Sequence, residues 1–186
     1  MTTRARLPLT TARLQLRPLQ PTDQEAFLSY RNDPEVIRYQ SWTQLTPEEA
    51  QAFLQQAAAA TPGPGQSLQL AITLQGSNLL IGDCLLQLSA DGQQGEISFT
   101  LSPLYQGQGY GLEAVTALLE YAFGTLNLHR ISAVTDARHT ASAKLLMRLG
   151  MRREGHLLQS RQVRGVWQDE LLYGLLASEW PTKRAS

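Results

Sequence analysis

The sequence predicts a mixed α+β fold in which a central, mostly antiparallel sheet of about seven strands is flanked by about four helices. Three observations carry this prediction. Extended segments with two-residue alternation outnumber helical ones along the chain. Three of them, Leu68–Leu74, Leu79–Leu88 and Glu96–Leu101, follow one another across short turns, which implies an antiparallel meander. Helical periods at Leu112–Phe123 and Ala141–Leu149 then bracket a compact strand at Ile131–Asp136.

The elements follow in order. Leu14–Leu19 alternates Leu14 and Leu16 with Gln15 and Arg17, as a first strand does. Pro21-Thr22-Asp23-Gln24-Glu25 opens a helix, and Thr22 with Glu25 matches a capping box that satisfies two orphan amides reciprocally. A second start stands at Asp33-Pro34, with Asp33 as cap and Pro34 at the first helical position. The same grammar at Thr46-Pro47-Glu48-Glu49 begins a helix to about Ala60, which the Pro- and Gly-rich Thr61–Gln66 ends. In the meander, Gly76-Ser77-Asn78 and Ala90–Gly95 are the turns. On its last strand Ile97, Phe99 and Leu101 share one face, and Glu96, Ser98 and Thr100 the other. Gly150 stands just past helix Ala141–Leu149 as its C′ residue. Arg152–Val163 and Trp167–Leu176 are extended, joined by a turn at Arg164-Gly165.

At 186 residues, 42% hydrophobic and 17% charged, residues 1–186 suit one globular domain. Sixteen basic and sixteen acidic residues cancel, which excludes a generally basic nucleic-acid or membrane-surface binder. The lone Cys84 forms no internal disulfide, and no Cys/His cluster has zinc spacing, so no metal is indicated. The opening Met1–Pro8 has no apolar signal core and no run approaches ~18 apolar residues, so a cytoplasmic protein without a membrane span is expected.

The most informative stretch is Leu101-Ser-Pro-Leu-Tyr-Gln-Gly-Gln-Gly-Tyr-Gly-Leu-Glu113. A strand ends, glycines recur at 107, 109 and 111, and a helix begins at once. Glycines let backbone approach a ligand closely, and the first amides of a helix have no internal partners. With the positive end of the helix dipole they suit a pyrophosphate; a tight strand-to-helix turn is the competing explanation. A Walker loop needs Lys-Ser or Lys-Thr where Leu112-Glu113 stands, and is excluded. A dinucleotide fingerprint needs glycine at Leu112 and a second mononucleotide half, for which too little chain remains. The pyrophosphate of coenzyme A is the third reading.

Gln106-Gly-Gln-Gly109-Tyr-Gly111 resembles the Q/R-x-x-G-x-G/A motif of the GNAT superfamily of acyl-CoA-dependent N-acyltransferases. Thr11–Leu19, Asn32–Ile37, Gly107–Ala114, Ser142–Met151 and Gly165–Asp169 together resemble the branch of the ribosomal-protein alanine N-acetyltransferases (RimJ/RimL-like). The resemblance implies a sheet splayed at a cofactor cleft, with a bulge in the strand before the glycine loop. It implies acetyl-CoA as acyl donor, and an acceptor that is a primary amine at a protein or peptide N-terminus. Small-molecule amines are the alternative acceptors. The branch also allows a homodimer through the C-terminal strands, which no residue here marks.

Carried onto this sequence, the resemblance puts Leu101 and Ser102 along the pantetheine arm through backbone groups. Gln106, Gly107, Gln108, Gly109, Tyr110 and Gly111 then lie at the pyrophosphate, and Arg148 on the adenine side. Asp136-Ala-Arg-His139-Thr-Ala-Ser142 resembles the family's D-x-x-N-x-x-S, with His139 replacing the usual Asn that bonds the cofactor. His139 keeps a cofactor contact, caps the helix or titrates near neutral pH. Ser142 is placed near the thiol sulfur as the acid, or else stabilises its own helix through backbone hydrogen bonds. The chemistry is attack of a neutral amine on a thioester; amines with pKa of about 8 to 10.4 must first lose a proton. Glu96, on the strand that ends at the cofactor, is the candidate base, acting directly or through water; an exposed strand carboxylate is the alternative. Glu113 reads as structural. Trp167 and Asp169 line the amine site or anchor the last hairpin. Tyr105 and Trp42 are candidate cleft walls, with core packing the stronger reading for Trp42. A non-catalytic acyl-CoA-binding module and a nicotinamide-dependent oxidoreductase are the competing classes.

Overall fold

Short turns leave each extended segment to pair with its predecessor, and the sheet grows almost in sequence order. The computed structural model describes residues 7–181, so residues 1–6 of the segment read for a signal core lie outside it. The strands are β1 (Leu9–Thr10), β2 (Leu14–Pro18), β3 (Ser67–Leu74), β4 (Leu80–Leu88), β5 (Gln94–Leu101), β6 (Arg130–Asp136), β7 (Arg152–Val163) and β8 (Val166–Leu176). The helices are α1 (Gln24–Arg31), α2 (Pro34–Ile37), α3 (Pro47–Ala59), α4 (Tyr110–Gly124) and α5 (Thr140–Arg148). The sheet order is β1-β2-β3-β4-β5-β6-β8-β7, and among the described residues only β5 and β6 pair in parallel. The eighth strand goes beyond the sequence expectation: β1 is two residues long, too short to leave an alternation. Among the described residues there are five α-helices, and the separate start read at Asp33-Pro34 is the four-residue α2.

Alternation assigns the two faces. Leu68, Leu70, Ile72, Leu86, Ile97 and Ile131 meet α4 and α5 in the main core. On the other face α1 and α3 bring Phe27, Tyr30, Ala50 and Leu54 against Leu19 and Leu80. Cys84 is wholly buried in the main core, and its thiol is pushed up by burial, with the Asp83 charge acting in the same direction.

Helix starts follow the sequence at two places and depart at a third. The Glu49 N–H donates to Thr46 Oγ1 at 3.2 Å and the Thr46 N–H to Glu49 Oε2 at 2.8 Å. The Glu35 N–H donates to Asp33 Oδ1 at 2.9 Å. At α1 the expected Thr22–Glu25 box gives way to a 3₁₀ turn, Pro21–Asp23, in which the Gln20 N–H donates to Asp23 Oδ2 at 2.8 Å. Arg17 supplies the reason. Its two terminal nitrogens donate to the Asp23 carboxylate at 2.7 and 2.8 Å in a buried pair, which fixes that carboxylate beside Gln20.

What positions the site is a failure of pairing. The β5–β6 ladder has three pairs, Gln94–Glu96 against Arg130–Ser132. Beyond them β5 stays with β4 as far as Gly82↔Leu101, and β6 stays with β8 as far as Asp136↔Glu170. Each strand follows its outer neighbour and the two part. The bulge expected in β5 is absent from its ladder with β4, which runs in continuous register from Gly82 to Leu88.

Gly82 holds that ladder close: a Cβ there would lie 2.3 Å from Thr100 O and 3.0 Å from Leu101 Cα. Gly82→Ala is expected to cost about 3 kcal/mol. Gly124→Ala, whose Cβ would meet nothing within 4 Å, should raise stability by up to about 1 kcal/mol. Urea denaturation of the two variants against wild type checks both.

Candidate active site

Where β5 and β6 part, a cleft of about 300 Å³ opens. Ile97–Thr100 and Ala133–Asp136 form its sides, Arg31, Tyr39, Trp42 and Phe53 close it from the α1–α3 layer, and His139 and Ser142 enter from the start of α5. Segments far apart in sequence converge here because β5 and β6, being parallel, finish at the same end of the sheet.

The glycine loop lies at the end of β5. Gly107 and Gly109 have φ of 72° and 83°, a left-handed backbone that favours glycine, and Gly109 is the N-cap of α4. The backbone amides of Gly107 through Leu112 donate to no acceptor among the described residues. A 15-residue helix therefore starts with a run of N–H groups aimed outward, which suits a phosphate anion. Gly111 serves packing instead. A Cβ there would stand 3.0 Å from Leu145 Cδ1, so its absence lets α4 and α5 approach. The side-chain amides of Gln106 and Gln108 turn back to donate to Leu101 O at 2.9 Å and Leu104 O at 3.0 Å, tightening the loop. The Ser102 N–H donates to Ile81 O at 2.8 Å, so the backbone at Leu101 and Ser102 is partly engaged by the protein itself. Tyr110 stacks under the Arg13 guanidinium at 4.2 Å, and Arg148 is exposed on the last turn of α5.

Glu113 anchors this loop from behind. It accepts from Thr11 Oγ1 at 2.6 Å, the Arg13 N–H at 2.9 Å and Arg13 Nε at 2.7 Å, and Arg13 Nη1 donates to Gln108 O at 3.1 Å. Burial acts to raise the Glu113 pKa, but these donors outweigh it and hold the carboxyl below its ordinary value.

The other candidates are placed as follows. Ser142 is buried and lines the cleft, and its hydroxyl makes no hydrogen bond with the described residues. His139 is half-buried at the N-cap of α5 but gives no side-chain cap; its ring stacks on Tyr39 with centroids 4.2 Å apart and planes 1° from parallel. Glu96 is exposed beside Ser132, at the last β5–β6 pair, and is outside the residues that line the cleft. Asp136 accepts from Arg138 N, Nε and Nη2 at 2.7–3.0 Å. Burial pulls its carboxyl up, and Arg138 more than reverses that. Asp169 accepts from the Gln159 N–H at 2.8 Å and from His156 Nε2 at 3.1 Å, which ties β7 to β8, while Trp167 is exposed.

The two aromatic candidates exchange roles. Trp42 belongs to neither core cluster and lines the cleft under the Arg31 guanidinium, 4.3 Å from its ring. Tyr105 packs against the main core. Sequence reasoning also passed over a buried polar cluster at the cleft wall. Asp83 accepts from Tyr30 Oη at 2.8 Å, from Arg31 Nε at 3.2 Å, from Arg31 Nη2 and from Gln69 Nε2. Burial, then the Asp83 charge, drive the Tyr30 pKa well up; burial opposes the Arg31 charge, but Asp83 overrides it. A carboxylate inside the apolar Leu80–Leu88 strand was the available signal, since a buried charge requires a partner.

A sheet split beside a glycine-led helix N-terminus is the arrangement of an acyl-CoA-dependent N-acyltransferase. Residues 13–152 match the acetyltransferase (GNAT) domain, and the chain belongs to that family of N-acetyltransferases. It is 31% identical over 172 residues to the uncharacterized N-acetyltransferase YnaD of Bacillus subtilis, covering 92% of this chain and 98% of that protein. It is 32% identical over 88 residues to the ribosomal protein uS5-alanine N-acetyltransferase of Escherichia coli, covering 47% of this chain and 45% of that one. The solved structure of spermidine N-acetyltransferase from Vibrio cholerae in complex with CoA and spermine shares the fold, with a TM-score of 0.79 at 21% identity over 91% of this chain and 98% of that chain.

Because the Glu113 pKa is depressed on folding, its contribution is present above the ordinary value of about 4.3 and is lost as pH falls through the lower folded value. Glu113→Gln should therefore cost about 2 kcal/mol at neutral pH. The difference from wild type should shrink below about pH 4, as read from urea midpoints across the acid range.

Proposed function

We propose that this N-acetyltransferase moves acetyl from acetyl-CoA to the α-amine of a protein or peptide N-terminus, by direct attack in a ternary complex. The carrying observation is that unpaired amides at the start of α4 adjoin the strand whose separation from β6 makes the cleft. When bound, acetyl-CoA supplies an acyl thioester. On this reading the amides of Gly107 to Gly111 hold the pyrophosphate, Gln106, whose N–H is taken by Pro103 O, closes the loop beside it, Leu101 and Ser102 flank the arm, and Arg148 meets the adenine end. The Ser142 hydroxyl is available to protonate the leaving thiolate. Glu96, being outside the cleft lining, reaches the acceptor nitrogen only through intervening water.

Asp136 is the carboxylate among the cleft-lining residues and Arg138 already holds it, so the lining offers no unpaired carboxylate to a polyamine's second cation, which favours an α-amine. The uS5-alanine relative supports the same acceptor. A small-molecule amine is the second reading, favoured by the modest volume of the cleft.

A thermal-shift titration with acetyl-CoA, CoA and NAD tests the donor. At about 100 times its dissociation constant a ligand adds about 2.7 kcal/mol, which should raise Tm by roughly 5–10 °C. No shift with either CoA species would remove the phosphate site and the transferase reading together. A panel of N-terminal peptides and spermidine, read by thiol release, then tests the acceptor, with peptides expected to exceed spermidine at least tenfold in kcat/KM. Ser142→Ala should lower kcat about 100-fold and leave the acetyl-CoA shift intact.

A further inference from the structure

His139 stands at the mouth of the split between β5 and β6, where the resembling motif has asparagine. It occupies the N-cap of α5, yet its side chain accepts from none of the α5 amides. Neither ring nitrogen has a hydrogen-bond partner among the described residues, although Asp136 lies three positions away, because Arg138 takes that carboxylate. The ring is oriented by its parallel stack on Tyr39 instead, which fixes its plane and leaves both nitrogens available. A neutral imidazole keeps one lone pair on a ring nitrogen. One helical turn on, Ser142 lines the same cleft with an equally unengaged hydroxyl.

We propose that His139 is a catalytic residue that accepts the proton of the acceptor nitrogen directly, with Ser142 serving the departing sulfur. The assignment rests on the acetyl-transfer reading and displaces Glu96 from the proton path. The amine lone pair forms the C–N bond at the thioester carbon, and the nitrogen, now cationic, gives its proton to the free ring nitrogen of His139. The C–S bond breaks with its electron pair on sulfur. The thiolate takes a proton from the Ser142 hydroxyl, which regains one from solvent, while the imidazolium releases one to solvent. The proton balance closes.

The surroundings keep the ring neutral for this work. Burial lowers the His139 pKa, and the Asp136 charge, which pulls the other way, does not restore it. Tyr39 covers one face, Arg138 is paired to Asp136, and Arg31 and Arg161 stand among the other cleft-lining residues. The acceptor amine's own titration near about 8 sets the first acid slope of kcat/KM, and activity that needs the neutral ring adds a second, steeper limb below the ordinary imidazole value of about 6.5.

The test is kcat/KM against pH for wild type, His139→Asn, His139→Gln and Tyr39→Ala on one accepted peptide amine, with the acetyl-CoA thermal shift of each. Both His139 variants should lose about 100-fold in kcat and the steeper second limb, keeping the amine's own acid slope and the acetyl-CoA shift. Tyr39→Ala uncovers the ring, so the limb should move up toward pH 6.5. Full kcat with an unchanged limb in both His139 variants overturns the proposal. So does loss of the acetyl-CoA shift in both, which would make His139 a cofactor ligand. A wild type that acetylates no amine defeats the transfer reading itself, and this assignment with it.

Discussion

The brief parallel ladder between β5 and β6 is the constraint on which the rest depends. Backbone N–H and C=O groups in a sheet seek partners, and a ladder once begun ordinarily continues. Here it stops after Glu96 and Ser132 because the outer ladders pull apart: β4 holds β5 to its end and β8 holds β6 to its end. The gap is therefore walled by two strands that are each rigidly paired on their far sides. A site built on such elements keeps its geometry better than one built on loops. The glycine loop and α4 continue from one of these strands, and α5 from the other, so the unpaired amides at the start of α4 and the cleft side chains share a single frame.

The α1–α3 layer completes that frame with charge as well as apolar packing. The cluster around Asp83 takes Tyr30 and Arg31 from α1 and Gln69 from β3, and ties the helical layer to the sheet beside the cleft. Burying such a pair yields little net stability over apolar packing, but removing one partner leaves an uncompensated charge. Its effect is therefore positional: Arg31 is held over Trp42 and Phe27, and the wall cannot slide without breaking the cluster. On the opposite side Glu113 does the equivalent for the loop, joining the β1–β2 turn to the first turn of α4.

How far this was legible in the sequence depended on the range of the interaction concerned. Local grammar read well. Thr46 with Glu49, Asp33 with Pro34, and the glycines ahead of α4 each act within a few residues, and the structure uses them as expected. The Thr22–Glu25 box failed because a competitor six residues from Asp23, Arg17, captured the local carboxylate. The end of the β5–β6 ladder left no local mark, since it is decided by which outer strands hold β5 and β6. Trp42 and Tyr105 exchanged roles for a related reason. Hydrophobicity marks an aromatic for burial but does not say against what, and a cation over its face keeps Trp42 at the cleft. The Asp83 cluster spans partners up to 53 positions apart, beyond any periodicity.

Cys84 has a practical consequence. It is the sole cysteine of the chain, wholly enclosed by the main core, and its thiol is pushed far from the range in which thiolates form at neutral pH. Only the thiolate reacts quickly with disulfide reagents, so the folded protein is silent toward them. The sulfhydryl set free at each turnover is then the one reactive thiol the enzyme and its donor present, and a colorimetric record of the reaction reports turnover with no protein background. The same enclosure lets a cysteine be introduced at any surface position for labelling without first removing the native one.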